Sequence, residues 1–299
     1  MKVLIIGGFS GIGSKIVKLM MKKKYDVFAT FLPHETPPDN CKTDLLDITD
    51  KTKTMELLKK VRPDIVVHTA AVPSMDECET DKEKAWKVNV EGTRNIVDGC
   101  KAVNAKIAYI STSAVFDGRK NLYHEDDQTS PVNNYGRTKL EGEKIVSNSG
   151  LPFLIARIDH PYGWVSKEQK QNTVTKTIAD LTAGKIHNEV IDWYNTPTFL
   201  DNCAEVIASV LEKNKNGIYH VVGSDYINRY DFALKIAEVF ALDKNLIKPK
   251  SSKDFTLPAK RGNCHLSNKK AEKESGVKLV GIEEGLKIMQ KQKEKDSKP

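Results

Sequence analysis

The stretch VLIIGGFSGIGSKIVKLM, residues 3–20, decides the fold. Four apolar residues in a row, Val3 to Ile6, read as a strand buried on both faces. After Ser14 the apolar residues Ile16, Val17, Leu19 and Met20 recur at helical spacing. Between the two lie Gly7, Gly11 and Gly13 in the pattern G-x-x-x-G-x-G. Glycines let a backbone approach a ligand closely, and a helix N-terminus offers unpaired N–H groups at the positive end of its dipole. A strand, glycine turn and helix in this order therefore suit a dinucleotide pyrophosphate. The plainer alternative is a tight turn that holds nothing.

Outward from that stretch the rhythm repeats. Apolar runs DVFATF (26–31), DIVVHTA (64–70), KIAYIST (106–112) and FLIARI (153–158) alternate with helix-like TMELLKKV (54–61), WKVNVEGTRNIVDGCKAV (86–103) and the segment around Tyr135. Strands alternating with helices are βαβ units, and the expected fold is α/β, a doubly wound parallel Rossmann-type sheet. In such sheets ligands bind outside the carboxyl ends of the strands, where the glycine turn, Ala70, Ala71 and Thr112 all fall. After Ile158 the pattern loosens. A helix is expected over 171–183, DNCAEVIASVLEK (201–213) and GIYHVVG (217–223) read as a return to the sheet, and YDFALKIAEVFAL (230–242) and EEGLKIMQKQ (283–292) read as further helices. The expected division is a dinucleotide-binding domain, 1–160 and 196–224, and a smaller discontinuous substrate-binding lobe, 161–195 and 225–290. A basic tail, 291–299, follows.

Tyr135 and Lys139 stand four apart in YGRTK, so in a helix they share a face. An ammonium beside a phenol favours the phenolate and makes Tyr135 a usable acid near neutral pH. With 9 Tyr in 299 residues and 40 of 47 basic residues lysine, chance alone supplies about one such pair, and the bland reading is a solvated helix pair. Its position downstream of the glycine turn and of Thr112, a hydroxyl at a strand end, gives the pair weight. Thr112 can orient a carbonyl oxygen, although strand-end hydroxyls are common. The second strand ends Ala29-Thr30-Phe31-Leu32, with Thr30 beside the expected cofactor and no carboxylate there to repel a 2′-phosphate. With His34 nearby, itself otherwise a loop histidine, NADPH is expected and NADH usable. Asp47 can lie against adenine, or it and Asp50 can cap a helix. His68 reads as a packed residue, and His160, just after FLIARI, as either packing or cleft.

Formal net charge is +7 without an arginine-rich stripe, so nucleic acid is not the expected partner. The five cysteines show neither C-x-x-C spacing nor an even count, which argues against a disulfide framework or a structural zinc, and no metal site is expected. The apolar run VLII begins two residues after Met1, leaving no room for a secretory leader, and no apolar stretch approaches the roughly 20 residues of a membrane span. A cytoplasmic protein is expected.

The stretches RPDIVVHTAA (62–71), VNVEGTRNI (88–96), ISTSAVFDG (110–118), PVNNYGRTKLEGEK (131–144), TPTFLDNCAEVI (196–207) and RGNCHLSN (261–268) span nearly the whole chain. On these the chain resembles the extended short-chain dehydrogenases/reductases, and within them the dTDP-4-dehydrorhamnose reductases. The resemblance implies an NAD(P)H-dependent reductase of a nucleotide-linked 4-keto-6-deoxy sugar, with Thr112, Tyr135 and Lys139 catalytic. Tyr135 would protonate the C4 oxygen, and Lys139 would hold the nicotinamide ribose and lower the Tyr135 pKa. It further implies that Gly7, Ser10, Gly11, Ile12 and Gly13 cradle the pyrophosphate, Asp47 and Ile48 flank adenine, and Ala70, Ala71 and Val72 line the cofactor. Asn89 would support the site structurally. Ser113, His160, Thr198 and Arg261 would contact substrate, Arg261 at a diphosphate. The chain departs from the family at Ser10 for a glycine, Ser113-Ala114 for Asp-Tyr, His160 for Trp and Gly262 for Pro. A homodimer is compatible with this picture. Two other readings stay open: a sugar-nucleotide 4-epimerase, and a non-catalytic NADP-binding subunit like methionine adenosyltransferase β. A 4,6-dehydratase lacks its extra acid and base at Ser113-Ala114.

Overall fold

The computed structural model describes residues 1–33, 35 and 41–296. Among these, seven parallel strands form the central sheet: β1 (Lys2–Ile6), β2 (Asp26–Phe31), β3 (Lys42–Leu45), β4 (Ile65–His68), β5 (Lys106–Thr112), β6 (Phe153–Ile158) and, late in the chain, Gly217–His220. Their spatial order, from the late strand inward, is Gly217–His220, β6, β5, β4, β1, β2, β3. The chain therefore winds outward from β1 in one direction and from β4 in the other, and the crevice above β1 and β4 is the topological switch point. Strands β1, β4 and β5 are buried on both faces, as their unbroken apolar runs require.

Helix α1 (Gly11–Lys22) covers one face through Ile12, Ile16, Val17 and Met20. Helices α2 (Lys51–Val61), α3 (Met75–Thr80), α4 (Lys82–Trp86) and α5 (Thr93–Val103) follow, with a π-helical turn at Lys87–Gly92. Then come α6 (Asn134–Ser147), the short β7 (Pro161–Tyr162), α7 (Thr173–Thr182), β8 (His187–Val190), β9 (Tyr194–Asn195) and β10 (Thr198–Phe199). The chain re-enters the sheet through α8 (Leu200–Glu212), which packs on α1, and the strand Gly217–His220, now β11. The lobe is completed by β12 (Ile227–Asn228), α9 (Arg229–Val239), β13 (Ile247–Lys250) and, after α10 (Lys269–Ser275), which packs on α8 and β11, by α11 (Ile282–Asp296).

Three features differ from expectation. Residues 291–296 continue α11 instead of forming a tail. The segment around Cys264–Leu279 packs with the sheet domain and not the lobe: Ala271 and Leu279 join the core under α1 and α8, and Cys264 and Leu266 pack on Phe116 and Val222. Strand β3 was not foreseen, because KTDL has no apolar alternation and only follows β2 as an edge. The lobe has its own core, in which Tyr162, Phe199, Phe232, Ile236, Leu286 and Met289 meet. Among the described residues no helix is long and apolar enough to cross a membrane.

Candidate active site

Between the sheet's carboxyl edge and the lobe lies a cleft of about 450 Å³. One wall is the glycine turn. Gly7 has φ +80°, and a Cβ there would lie 2.9 Å from the Ala70 nitrogen, so only glycine fits. Ser10 caps α1, its Oγ accepting the Gly13 N–H at 3.0 Å and sharing a hydrogen bond with Thr69 Oγ1 at 2.8 Å. Gly11 and Ile12 open α1 on the cleft side, and the first turn of that helix carries no acidic residue. A close-approach turn, the remaining N–H groups of the helix N-terminus and a first turn without an acidic residue fit a pyrophosphate.

The second wall is β5 and α6. Asn133 caps α6 by accepting the Gly136 N–H at 2.8 Å, which places Tyr135 in the first turn and Lys139 one turn on. Thr112, Tyr135 and Lys139 all line the cleft. Enclosure by protein pushes the Tyr135 phenol up to about 12, the buried Cys78 thiol adds to the rise, and the Thr112 hydroxyl opposes it. Burial brings Lys139 down to about 7, against which Glu143 and Cys78 act. Its Nζ lies 3.9 Å from the Tyr109 ring centroid, a cation–π seat. The expected lowering of the Tyr135 pKa by Lys139 is thus not found in the protein alone. Desolvation dominates, and the phenol is held protonated.

The other expected residues divide. Ala71, Ser113, His160 and Arg261 line the cleft with Ser10, Gly11 and Ile12. Neutral His160, held down at about 3 by burial and by Arg229, shares a 2.8 Å hydrogen bond with Thr173 and has φ +40° where the chain turns into the lobe. Arg261 donates to Asp76 at 2.6 Å and stacks its guanidinium over Trp193. Asn89 braces the site from behind: it accepts the Val72 N–H at 2.8 Å and donates to Thr138 at 3.1 Å.

The remaining expected residues do not line this cleft, and each has another setting in the structure. Thr30 is buried, and its hydroxyl accepts the Gly7 N–H at 3.1 Å, so it braces the turn. Ile48 is buried against Gly92. Val72 is buried with its N–H used by Asn89. Thr198 is fully buried and binds the Asp159 backbone, accepting its N–H and donating to its carbonyl. The end of β2 does meet a carboxylate: Leu32 N–H donates to Glu35 at 2.7 Å. Asp47 is exposed and accepts from Thr49, forming a turn ahead of Asp50, which caps α2. Ala70 closes on Gly7. His34 lies outside the described residues.

The family model described as "RmlD substrate binding domain" matches residues 1–294. The chain belongs to this family. It is 28% identical to the dTDP-4-dehydrorhamnose reductase of Aggregatibacter actinomycetemcomitans over 96% of this chain and 97% of that one. It is 27% identical to methionine adenosyltransferase 2 subunit beta of Rattus norvegicus over 91% of this chain and 81% of that one. A crystal structure of Bacillus anthracis dTDP-4-dehydrorhamnose reductase in complex with NADP superposes with TM-score 0.88 at 26% identity, covering 97% of this chain and 99% of that one.

In this RmlD-family chain the residues that sequence reading missed come from the lobe side of the cleft: Asp159, Lys170, Trp193, Asn195 and Arg229. None has a local signature. Asp159 alone could have been found, since pairing Thr112 with Ile158 sets Asp159 beside Ser113.

Proposed function

We propose that the chain is an NAD(P)H-dependent reductase of a nucleotide-linked 4-keto-6-deoxy sugar, of the dTDP-4-dehydrorhamnose reductase type. The observation that carries this reading is the convergence of Thr112, Tyr135 and Lys139 with the glycine turn in one cleft. Family membership, the reductase relatives and the NADP-bound neighbour support it. When bound, the nicotinamide supplies hydride to the carbonyl carbon. The chain's own residues do the rest. Gly7, Ser10, Gly11, Ile12 and Gly13 would hold the pyrophosphate, and Ala71 would lie along the dinucleotide. Thr112 orients the carbonyl oxygen by donating a hydrogen bond to it. Tyr135, protonated at neutral pH, gives that oxygen its proton. The phenolate left behind is stabilised by the Lys139 ammonium one helical turn away. Glu35 and the Thr30 region leave both NADPH and NADH open to use.

The test is a turnover screen of keto-sugar nucleotides with each cofactor. Wild type should oxidise NAD(P)H with a dTDP-linked 4-keto-6-deoxy hexose, and Tyr135→Phe should lose at least about a hundredfold in kcat while still binding cofactor. The 27% identity to methionine adenosyltransferase 2 subunit beta favours a second reading, a dinucleotide-binding subunit. Cofactor binding without any turnover, together with association with a methionine adenosyltransferase, would establish that reading instead. The five free cysteines suit a reducing cytoplasm, and a homodimer is proposed for measurement by sedimentation.

A further inference from the structure

Register puts Thr112 of β5 beside Ile158 of β6, so the next residues, Ser113 and Asp159, leave neighbouring strand ends about 4.8 Å apart. They meet: Ser113 Oγ donates to Asp159 Oδ1 at 2.7 Å. Oδ2 accepts the Thr196 backbone N–H at 2.7 Å, and Asn195 Nδ2 reaches the two oxygens at 3.4 and 3.5 Å. Asp159 is 6% exposed, yet Asp159, Ser113 and Asn195 all line the cleft.

All these partners are neutral. A buried carboxylate without a cation is costly, and burial here raises the Asp159 pKa to about 6 even though Ser113, Thr196 and Asn195 pull it back. A carboxylate has roughly four acceptor positions; two take short hydrogen bonds, while Asn195 at 3.4 and 3.5 Å and the His160 backbone N–H reach it more weakly and leave room for a better donor. A charged group is therefore kept at some expense, with spare accepting capacity, one strand over from the hydroxyl that orients the carbonyl. In a 4-keto-6-deoxy hexose the ring carbon on one side of the carbonyl carries a methyl group, and the carbon on the other side carries a hydroxyl.

We propose that Asp159, fixed by Ser113 and Asn195, accepts a hydrogen bond from the sugar hydroxyl next to the keto carbon, and that the enzyme selects keto sugars in which that hydroxyl is free. The inference rests on the reductase reading. A site built to pair with a hydroxyl rejects an analogue lacking it, because its own buried polar group is then left unsatisfied. If Asp159 served only to tie β6 to Thr196, the substrate hydroxyl would be irrelevant.

The experiment compares a dTDP-linked 4-keto-6-deoxy hexose with its 3-deoxy counterpart, by kcat/KM with NADPH and by calorimetric binding of the two reduced products, in wild type and Asp159→Asn. Wild type should favour the hydroxylated compound by about ten- to a hundredfold. Asp159→Asn, whose amide can keep the Ser113 and Thr196 contacts, should lose most of that preference. Equal loss on both compounds would make Asp159 a structural tie and overturn the proposal. So would a wild-type ratio near one, which decides the matter even if the variant fails to fold. If wild type turns over neither compound and binds neither product, the reductase reading itself falls and takes this inference with it.

Discussion

Lys139 is 3% exposed, its Nζ rests on the Tyr109 ring, and its pKa is brought down to about 7 by burial. The sign of the consequence follows from linkage. The unfolded lysine titrates near 10.5, so between about pH 7 and 10.5 the unfolded chain binds the extra proton. Lys139 therefore costs stability in full below pH 7, and the cost fades as pH rises toward 10.5. Lys139→Met should stabilise the protein by roughly 1–3 kcal/mol at pH 6, with the gain shrinking at pH 9, while abolishing turnover. Thermal melts across that range would check it. No gain at pH 6 would mean the amine is solvated and charged at little cost. The four-residue spacing of Tyr135 and Lys139 was legible in the sequence, because helical periodicity alone puts them on one face. The electrostatics were not, because the setting of the pair depends on Tyr109 of β5 and Cys78 of α3, which arrive from other places along the chain. Thr30 shows the same limit: its strand was read correctly, but the sequence does not tell whether a hydroxyl turns to the cleft or to Gly7.

At the scale of elements, α6 is held against the sheet by a buried ion pair. Glu143, one turn beyond Lys139, accepts from Arg157 of β6 at 2.9 and 2.7 Å and from Ser111 of β5 at 2.5 Å. Both charged side chains are at most 5% exposed. Removing one partner strands the other charge in the interior, which costs about 3–5 kcal/mol, whereas replacing both with apolar groups of similar size is often close to neutral. Arg157→Met should therefore lower stability by about that amount in urea unfolding, and adding Glu143→Leu should recover much of it. A milder single variant than double variant would contradict this account of the pair. Strands β1, β2, β4, β5 and β6 were legible because burial on both faces demands unbroken apolar runs. The pair β8 and β13, whose sequences HNEV and IKPK carry few apolar residues, was not, since its partners lie in distant parts of the chain and the pattern that would mark them is absent.

At the scale of the whole molecule, the sheet domain and the returning C-terminal segment are joined across the cleft mouth by Asp76 and Arg261, 185 residues apart. No reading of spacing can anticipate such a contact, which is why Arg261 was legible as a candidate and its partner was not. Arg261 holds the Asp76 carboxyl below its ordinary range, with Lys170 adding a smaller pull in the same direction. A substrate diphosphate would compete with Asp76 for the guanidinium, which is stacked on Trp193. Opposite effects are therefore expected from the two halves of the pair. Arg261→Ala should raise KM for the nucleotide sugar about tenfold, the loss of one charge-assisted hydrogen bond, with kcat changed less. Asp76→Ala should lower KM, because the cation no longer has to be released from a competing carboxylate. Both effects should shrink as salt is raised from about 0.05 to 0.5 M, since the pair is partly exposed and such interactions are screened. Steady-state kinetics on the two variants across that salt range decides the point: if both raise KM alike, the pair serves closure of the cleft and not capture of an anion.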